Sequence, residues 1–397
     1  MVAAGIFATS LANTPILALP FRESLKNRFH LGPTAMASFF AVAAAPWYVK
    51  VFIGWLSDRV PIAGERRRPY YVLAALLAAL AWTMVALPTS HVSWLLAGAV
   101  GANAASVIAS TVSGGLLVEA GQRFGLTQRL AQIRNAFAYG AVVPAMWMAG
   151  WLADRPLVYT ALLPGALMTA LAPLAWKLLG PDEARPDATT FGEALRRLVR
   201  ARGLWAITAF IFLLQLAPGF QTPLFYIQTN QLGFSPLFIG TLNSLASAVA
   251  MLVSLQYHRL VRRTSMTGQL RLAVFVSIAG ALAYIGYLSR GTALAIEVLA
   301  AIATALTQVP LFTVAARAAP RGLEGVAYAL VASLFNVATQ LSDVFGSLLY
   351  EHGGLGLRGL ICANAASSLL ALALIRFIPS ELLGPERGAV GISKEAG

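Results

Sequence analysis

The sequence predicts an all-α membrane protein, with twelve transmembrane helices in two six-helix, pseudo-symmetric bundles. Three observations lead there. Of its 397 residues, 58% are hydrophobic and 11% charged, against roughly 25% charged in soluble domains. The apolar residues fall into stretches of about 20, the length a helix needs to cross a bilayer. One long polar connector, Gly180 to Gly203, divides those stretches six and six.

The twelve expected spans lie near residues 1–19, 34–57, 69–88, 92–117, 129–152, 157–179, 204–228, 236–258, 269–288, 292–315, 325–350 and 356–378. The first is apolar but lacks a basic leader, so it reads as a membrane helix rather than a signal peptide. It begins almost at Met1, and a short N-terminal tail is expected to be missing. The connector holds Pro181 and Pro186 and then an amphipathic basic stretch. The domain reading is a bundle over 1–179, a cytoplasmic linker over 180–203, a bundle over 204–380 and a cytoplasmic tail over 381–397.

Lysine and arginine sort by connector. Arg59, Arg66, Arg67, Arg68, Arg123, Arg129, Lys177, Arg185, Arg196, Arg197, Arg200, Arg202, Arg259, Arg262, Arg263, Arg317 and Arg321 fall on one side. Arg22, Lys26, Arg28, Arg155, Arg290 and Arg358 fall on the other. Positive charge stays inside, so both termini are expected in the cytoplasm of a plasma membrane, here a bacterial inner membrane. The formal charge of +13 therefore reports topology and implies no nucleic acid. The lone Cys362 excludes a disulfide framework, and His30, His91, His258 and His352 are too dispersed to ligate a metal. "GLGLRG" (Gly354–Gly359) formally fits a dinucleotide fingerprint but lacks a preceding strand. No nucleophile–base set or phosphate loop is present, so neither an enzyme, a cofactor nor an ATP-driven pump is expected.

A charge at the bilayer centre costs at least about 2.5–3.5 kcal/mol, so polar residues in these spans should face a cavity, a partner or an interface. Lys50 stands about two turns before the end of the second span, with Trp47 on the same face. It reads as a cation for an anionic solute beside an aromatic wall, or as a snorkelling or locally paired lysine. Asn336, Gln340 and Asp343 form a stripe at i, i+4 and i+7 in the eleventh span. Asp343 could take up a proton, or form a fixed ion pair with Lys50 or Arg134. The seventh span carries Gln215, Gln221, Phe225 and Gln228, with Pro218-Gly219 and Pro223 breaking its regularity. Broken helices often line transport sites because freed carbonyls need polar company. Gln221, Phe225 and Gln228 share a face. Gln308 and Asn103 are weaker candidates, and Glu297 reads as a solvated or paired helix end.

The two halves echo each other at a spacing of about 200: Asp58-Arg59 against His258-Arg259, and Asn135 against Asn336. With the central connector this resembles the parallel repeats of the major facilitator superfamily. "GWLSDR" (Gly54–Arg59) resembles that superfamily's loop signature between helices 2 and 3. The resemblance implies a cytoplasmic gate of Gly54, Asp58, Arg59, Arg66, Arg67 and Arg68, with Glu119 and Arg134 as neighbouring partners. An ordinary positively anchored helix end is the other reading. Longer strings are similar to the folate–biopterin transporter family: "PWYVKVFIGWLSDRVPIAGERRRPYYVL" (Pro46–Leu73), "LLVEAGQR" (Leu116–Arg123), "PLFYIQTNQLGFSPLFIGTL" (Pro223–Leu242) and "PRGLEGVAYALVASLFNVATQLSDVFGSLL" (Pro320–Leu349). Gly114 stands where that family commonly carries an Asp, five residues before the Glu matching Glu119. The resemblance implies a secondary transporter moving a small organic anion, folate- or pterin-like, by alternating access; a monomer is expected, with Asp343 as the proton-coupling carboxylate. The alternatives are a non-transporting assembly or scaffold protein on the same fold, or a drug or sugar exporter.

Overall fold

The computed structural model describes residues 1–12, 14–124, 127–180, 191–261, 263–320 and 323–383. The side chains of 14–17, 58–59, 118–124, 127–137, 139, 191, 194, 258 and 324 also lie outside the described set. Among the described residues the chain is helical, apart from one isolated bridge between Ile62 and Glu65.

In order, the helices are α1 (Val2–Ala12), α2 (Thr14–Asn27), α3 (Pro33–Ala43), α4 (Ala45–Tyr48), α5 (Lys50–Arg59), α6 (Arg68–Ala86), α7 (Val92–Phe124), α8 (Thr127–Leu152), α9 (Leu157–Thr169) and α10 (Leu171–Leu178). They continue as α11 (Phe191–Arg200), α12 (Arg202–Gln215), α13 (Gln221–Tyr226) with a π turn over Ile227–Gln231, α14 (Pro236–Val261), α15 (Met266–Ala283), α16 (Arg290–Arg317), α17 (Glu324–Glu351), α18 (Leu357–Leu374) and α19 (Ser380–Leu383). Among the described residues, eight stretches are long and apolar enough to cross a membrane: Arg68–Ala86, Val92–Leu117, Leu157–Leu178, Pro236–Tyr257, Met266–Gly286, Arg290–Arg317, Gly325–Glu351 and Leu357–Phe377. Their outer faces leave large apolar side chains uncovered, Leu76 at 65% and Leu370 at 72% exposure. Water would penalise such a surface and acyl chains accept it.

Two expectations need correction. The first span was expected to end near residue 19, but α2 runs on to Asn27. Arg22, Glu23 and Lys26 are therefore helical, not part of a connector. Hydropathy stops at these charges, whereas the helix continues because their side chains find partners. The second span was expected as one helix over 34–57. It breaks at Ala44 and again at Val49. Pro46 lacks an N–H and crowds the carbonyl one turn back, which interrupts the helix. The Ala44 amide turns to the carbonyls of Phe40 and Val42. The Tyr48 hydroxyl donates to the Ala41 carbonyl at 2.6 Å.

Helix contacts rely on small residues, as expected where lipid removes the hydrophobic drive between helices. Ala74, Ala78 and Ala81 of α6 are buried, as are Ala99, Ala102 and Ala105 of α7. α8 crosses α14 at a glycine pair. A Cβ on Gly240 would lie 2.6 Å from the Gly150 Cα and 2.8 Å from the Met146 carbonyl oxygen. Nearby, Ser244 donates to the Val143 carbonyl at 2.8 Å. One apolar core joins α1–α10 to Leu224, Phe225, Phe234, Ile239 and Tyr287, and a second runs from Leu198 to Ile378. α17 packs along α3, α4 and α5, giving a second seam between the chain before residue 180 and the chain after it.

Candidate functional site

The break between α12 and α13 organises the site. Proline at 218 and glycine at 219 cannot sustain the helix, so residues 216–220 leave backbone groups without helical partners. Neighbouring helices supply them. Gly219 N–H donates to the Ser342 carbonyl at 2.9 Å, and Asn364 Nδ2 donates to the Pro218 carbonyl at 3.0 Å. The Ser342 hydroxyl donates to the Ala217 carbonyl. This contact needs a bare backbone at Gly346, where a Cβ would overlap the Gly219 carbonyl.

Asp343 locks the far side of the break. It is 8% exposed. Its two oxygens accept from the Thr222 amide at 2.9 Å and the Thr222 hydroxyl at 2.6 Å. The carboxylate thus sits against the first turn of α13, where unpaired amides favour negative charge.

A cavity of about 360 Å³ opens beside the break. Gln215, Gln221, Gln308, Thr339, Asp343 and Asn364 supply polar groups to its lining, and Phe220, Tyr284 and Phe335 supply aromatic ones. The structure therefore brings together Gln215, Gln221 and Asp343, and adds the weaker candidate Gln308. Asn336 and Gln340 do not line this cavity. The α17 face that does is 335, 339, 342 and 343. Both are half-buried and make no side-chain hydrogen bond among the described residues.

Gln221, Phe225 and Gln228 are spaced on one face but meet three environments. Gln221 borders the cavity. Phe225 is 2% exposed, beneath Arg22 and Lys26. Gln228 donates to the Tyr287 hydroxyl at 2.7 Å. Tyr287 and Tyr284 in turn donate to the two Glu297 oxygens at 3.3 and 3.1 Å. Glu297 is thus a paired and buried carboxylate.

Lys50 and Trp47 lie away from this cavity, against α7. Lys50 Nζ stands 5.2 Å from the Trp47 ring centroid and 3.4 Å from the Ser110 hydroxyl. Trp47 Nε1 donates to Asn103 Oδ1 at 2.9 Å. The expected shared face of Trp47 and Lys50 is present as a contact, and Asn103 joins it.

At the expected gate, Gly54 lets α5 approach α7, since a Cβ there would sit 3.3 Å from Thr111 Cγ2. Arg66 and Arg67 are 5% and 7% exposed, and both are engaged. Arg68 pairs with Glu65 at 3.5 Å, donates to the carbonyls of Trp176 and Leu179, and lies 4.9 Å from the Trp176 ring. Its partners thus hold the start of α6 to the end of α10. The side chains of Asp58, Arg59, Glu119 and Arg134 lie outside the described residues.

The opposite end holds groups that the sequence reading missed. Arg22 Nη1 donates to the Gln221 carbonyl at 3.3 Å, and Lys26 Nζ donates to Thr229 Oγ1 at 2.6 Å. The Tyr226 hydroxyl donates to the Leu31 carbonyl, and the Thr34 amide donates to Glu351 Oε2 at 2.7 Å. Four ties thus join residues 22–34 to residues 221–229 and 351. A signal was available: Arg22 and Lys26 were exceptions to the charge bias, spaced i, i+4 as on one helical face.

The profile of the Major Facilitator Superfamily matches residues 1–342. The chain belongs to this superfamily. A folate-biopterin transporter of Synechocystis sp. is 26% identical over 391 residues, covering 90% of this chain and 77% of the relative. Folate transporter 2 of Plasmodium falciparum is 23% identical over 394 residues, covering 93% and 85%. These relatives bear out the likeness of the quoted strings to folate–biopterin transporters. Among solved structures, the nucleoside transporter NupG matches with a TM-score of 0.71 at 11% identity, covering 97% of this chain and 98% of that one. A D-xylose-proton symporter matches with a TM-score of 0.70 at 15% identity, covering 95% and 97%. The facilitator chain is a multi-pass membrane transporter, not an enzyme.

Proposed function

We propose that this facilitator is a secondary active transporter of a small organic anion of the folate–pterin class, working by alternating access. Twelve spans form two bundles over 1–179 and 204–380, joined by the 180–203 linker, with both termini in the cytoplasm of a bacterial inner membrane. The bundles rock about the α8–α14 glycine crossing and the α17 seam. The four ties near Arg22, Lys26, Leu31 and Thr34 then belong to the outer side, closed here. Asp58 and the Arg66–Arg68 cluster belong to the inner gate.

The observation that carries the reading is the Asp343–Thr222 clasp at the edge of a polar cavity beside a broken helix. Such a break supplies directional polar groups at membrane depth that an unbroken helix cannot offer. Gln215, Gln221 and Gln308 offer amide donors and acceptors that suit the edge of a pterin ring. About 360 Å³ lies within the range of small-ligand sites. Lys50 over Trp47 offers a cation and an aromatic face on the path through α1–α10. Protonation of Asp343 would weaken its hold on Thr222 and couple proton entry to movement of α13.

The test is uptake of labelled folate and biopterin by proteoliposomes, with and without an inward proton gradient. Saturable uptake accelerated by the gradient is expected. No uptake of either compound, together with solute-independent copurification of another membrane protein, would replace the carrier with a scaffold.

A further inference from the structure

Arg22 and Lys26 occupy one side of α2, one turn apart. A guanidinium has five N–H donors in a fixed fork. Among the described residues, that of Arg22 makes one side-chain hydrogen bond, 3.3 Å to the Gln221 carbonyl, and its Nε is buried without a partner. Its Cζ lies over two rings, 5.4 Å from the Phe40 centroid and 5.7 Å from the Phe225 centroid. Lys26 Nζ lies 5.8 Å from Phe225 and 5.9 Å from Tyr226. Two cations thus share one buried ring.

Neither cation forms an ion pair among the described residues. Asp343 attracts Arg22 and Glu23 attracts Lys26 without a direct ion pair, and each nearby carboxylate has a hydrogen-bond donor of its own. Asp343 is held by Thr222. Glu23 accepts from Asn27 Nδ2 at 2.8 Å, and its other oxygen is buried without a partner. Glu351 accepts from the Thr34 amide. Arg22 is half-buried, and its Nε, shut away without a partner, carries a desolvation cost. A carboxylate repays that cost, because it accepts two parallel N–H bonds from the fork. The flanking phenylalanines suit a flat ring carried elsewhere on the same ligand.

We infer that Arg22 and Lys26 form a clamp for a carboxylate of a ring-bearing organic acid where α2, α3 and α13 meet, and that this clamp selects carboxylated over uncharged ring compounds. To grip the ligand, the Arg22 fork exchanges the Gln221 carbonyl for the carboxylate. Binding thereby releases one of the ties between α2 and α13 and favours opening of that end. The inference rests on the anion-transport reading above and names the groups that recognise the charge.

The experiment compares folate, which carries carboxylates, with biopterin, which does not. Dissociation constants are measured on the purified full-length chain in detergent. Wild type should bind folate more tightly than biopterin. Arg22→Gln should weaken folate binding about 10- to 100-fold, the range for a lost hydrogen bond to a charged group. Its biopterin binding should stay within about 2-fold of wild type, well short of one such hydrogen bond. Arg22→Lys, which keeps the charge without the fork, should lose folate affinity to an intermediate degree; it also serves as the test if the Gln variant does not fold. Equal losses for both ligands, or no loss for either, would overturn the clamp while leaving the folate–pterin reading intact. A wild type that binds neither compound would overturn both.

Discussion

Replacing Asp343 separates structural from coupling roles at the break. In Asp343→Ala, the Thr222 amide and hydroxyl lose acceptors now 2.9 and 2.6 Å away. Hydrogen bonds to a charged group contribute about 1.5–3 kcal/mol each, and a buried donor left unpaired costs about 1–3 kcal/mol. The two effects describe the same loss from two sides, so the expected destabilisation is about 3 kcal/mol rather than their sum. Asparagine retains an acceptor for the Thr222 amide, and its own N–H can donate to the hydroxyl. Asp343→Asn should therefore cost only about 1 kcal/mol. Thermal unfolding in detergent should place the alanine variant roughly 4 °C below wild type and the asparagine variant within about 1 °C. Asparagine cannot gain or lose the proton, so uptake by Asp343→Asn should lose its response to an inward proton gradient. An alanine variant that melts with wild type would refute the clasp. An asparagine variant with the parental pH profile would refute coupling at this residue.

Gly240→Ala should disturb the α8–α14 crossing. Its Cβ would begin 2.6 Å from the Gly150 Cα, against an ordinary contact of about 3.5–4.0 Å. The helices would need to part by about 1 Å, at about 1–3 kcal/mol. Lowered melting and slowed uptake are expected, whereas Gly140→Ala, with nothing within 4 Å of the added Cβ, should leave both unchanged. Lys50→Ala removes the ammonium beside Trp47 and Ser110, and the apparent KM for folate should rise several-fold with little change for biopterin, read in the same uptake assay.

Helix ends bounded by charges were legible to within about two residues. The tenth span, expected over 292–315, is α16 at Arg290–Arg317, and the eleventh, over 325–350, is α17 at Glu324–Glu351. The irregular seventh span was legible from Pro218-Gly219, since neither residue sustains a helix there. Pro46 carried the same warning in the second span, masked by the apolar run around it. The extension of α2 was not legible, because hydropathy treats Arg22 and Lys26 as an exit from the membrane although the helix continues through them, each with a hydrogen bond to the chain near α13. Within the site, periodicity placed Asp343 on a polar stripe. It could not fix which side of that stripe meets the cavity. Thr339 and Ser342 line it, whereas Asn336 and Gln340, about one 100° step away, do not. Partners about 200 residues distant, such as Arg22 and the Gln221 carbonyl, follow only from the packed structure.

Alternating access is tested most directly at the end that is closed here. In a chain whose own Cys362 is replaced by serine, cysteines at Thr34 and Glu351, whose backbone amide and carboxylate now lie 2.7 Å apart, can be joined through two disulfides by a short bis-methanethiosulfonate. The account predicts that the bridge forms without substrate, stops folate uptake, and releases it again on reduction. Uptake that continues at the parental rate with the bridge intact would contradict it.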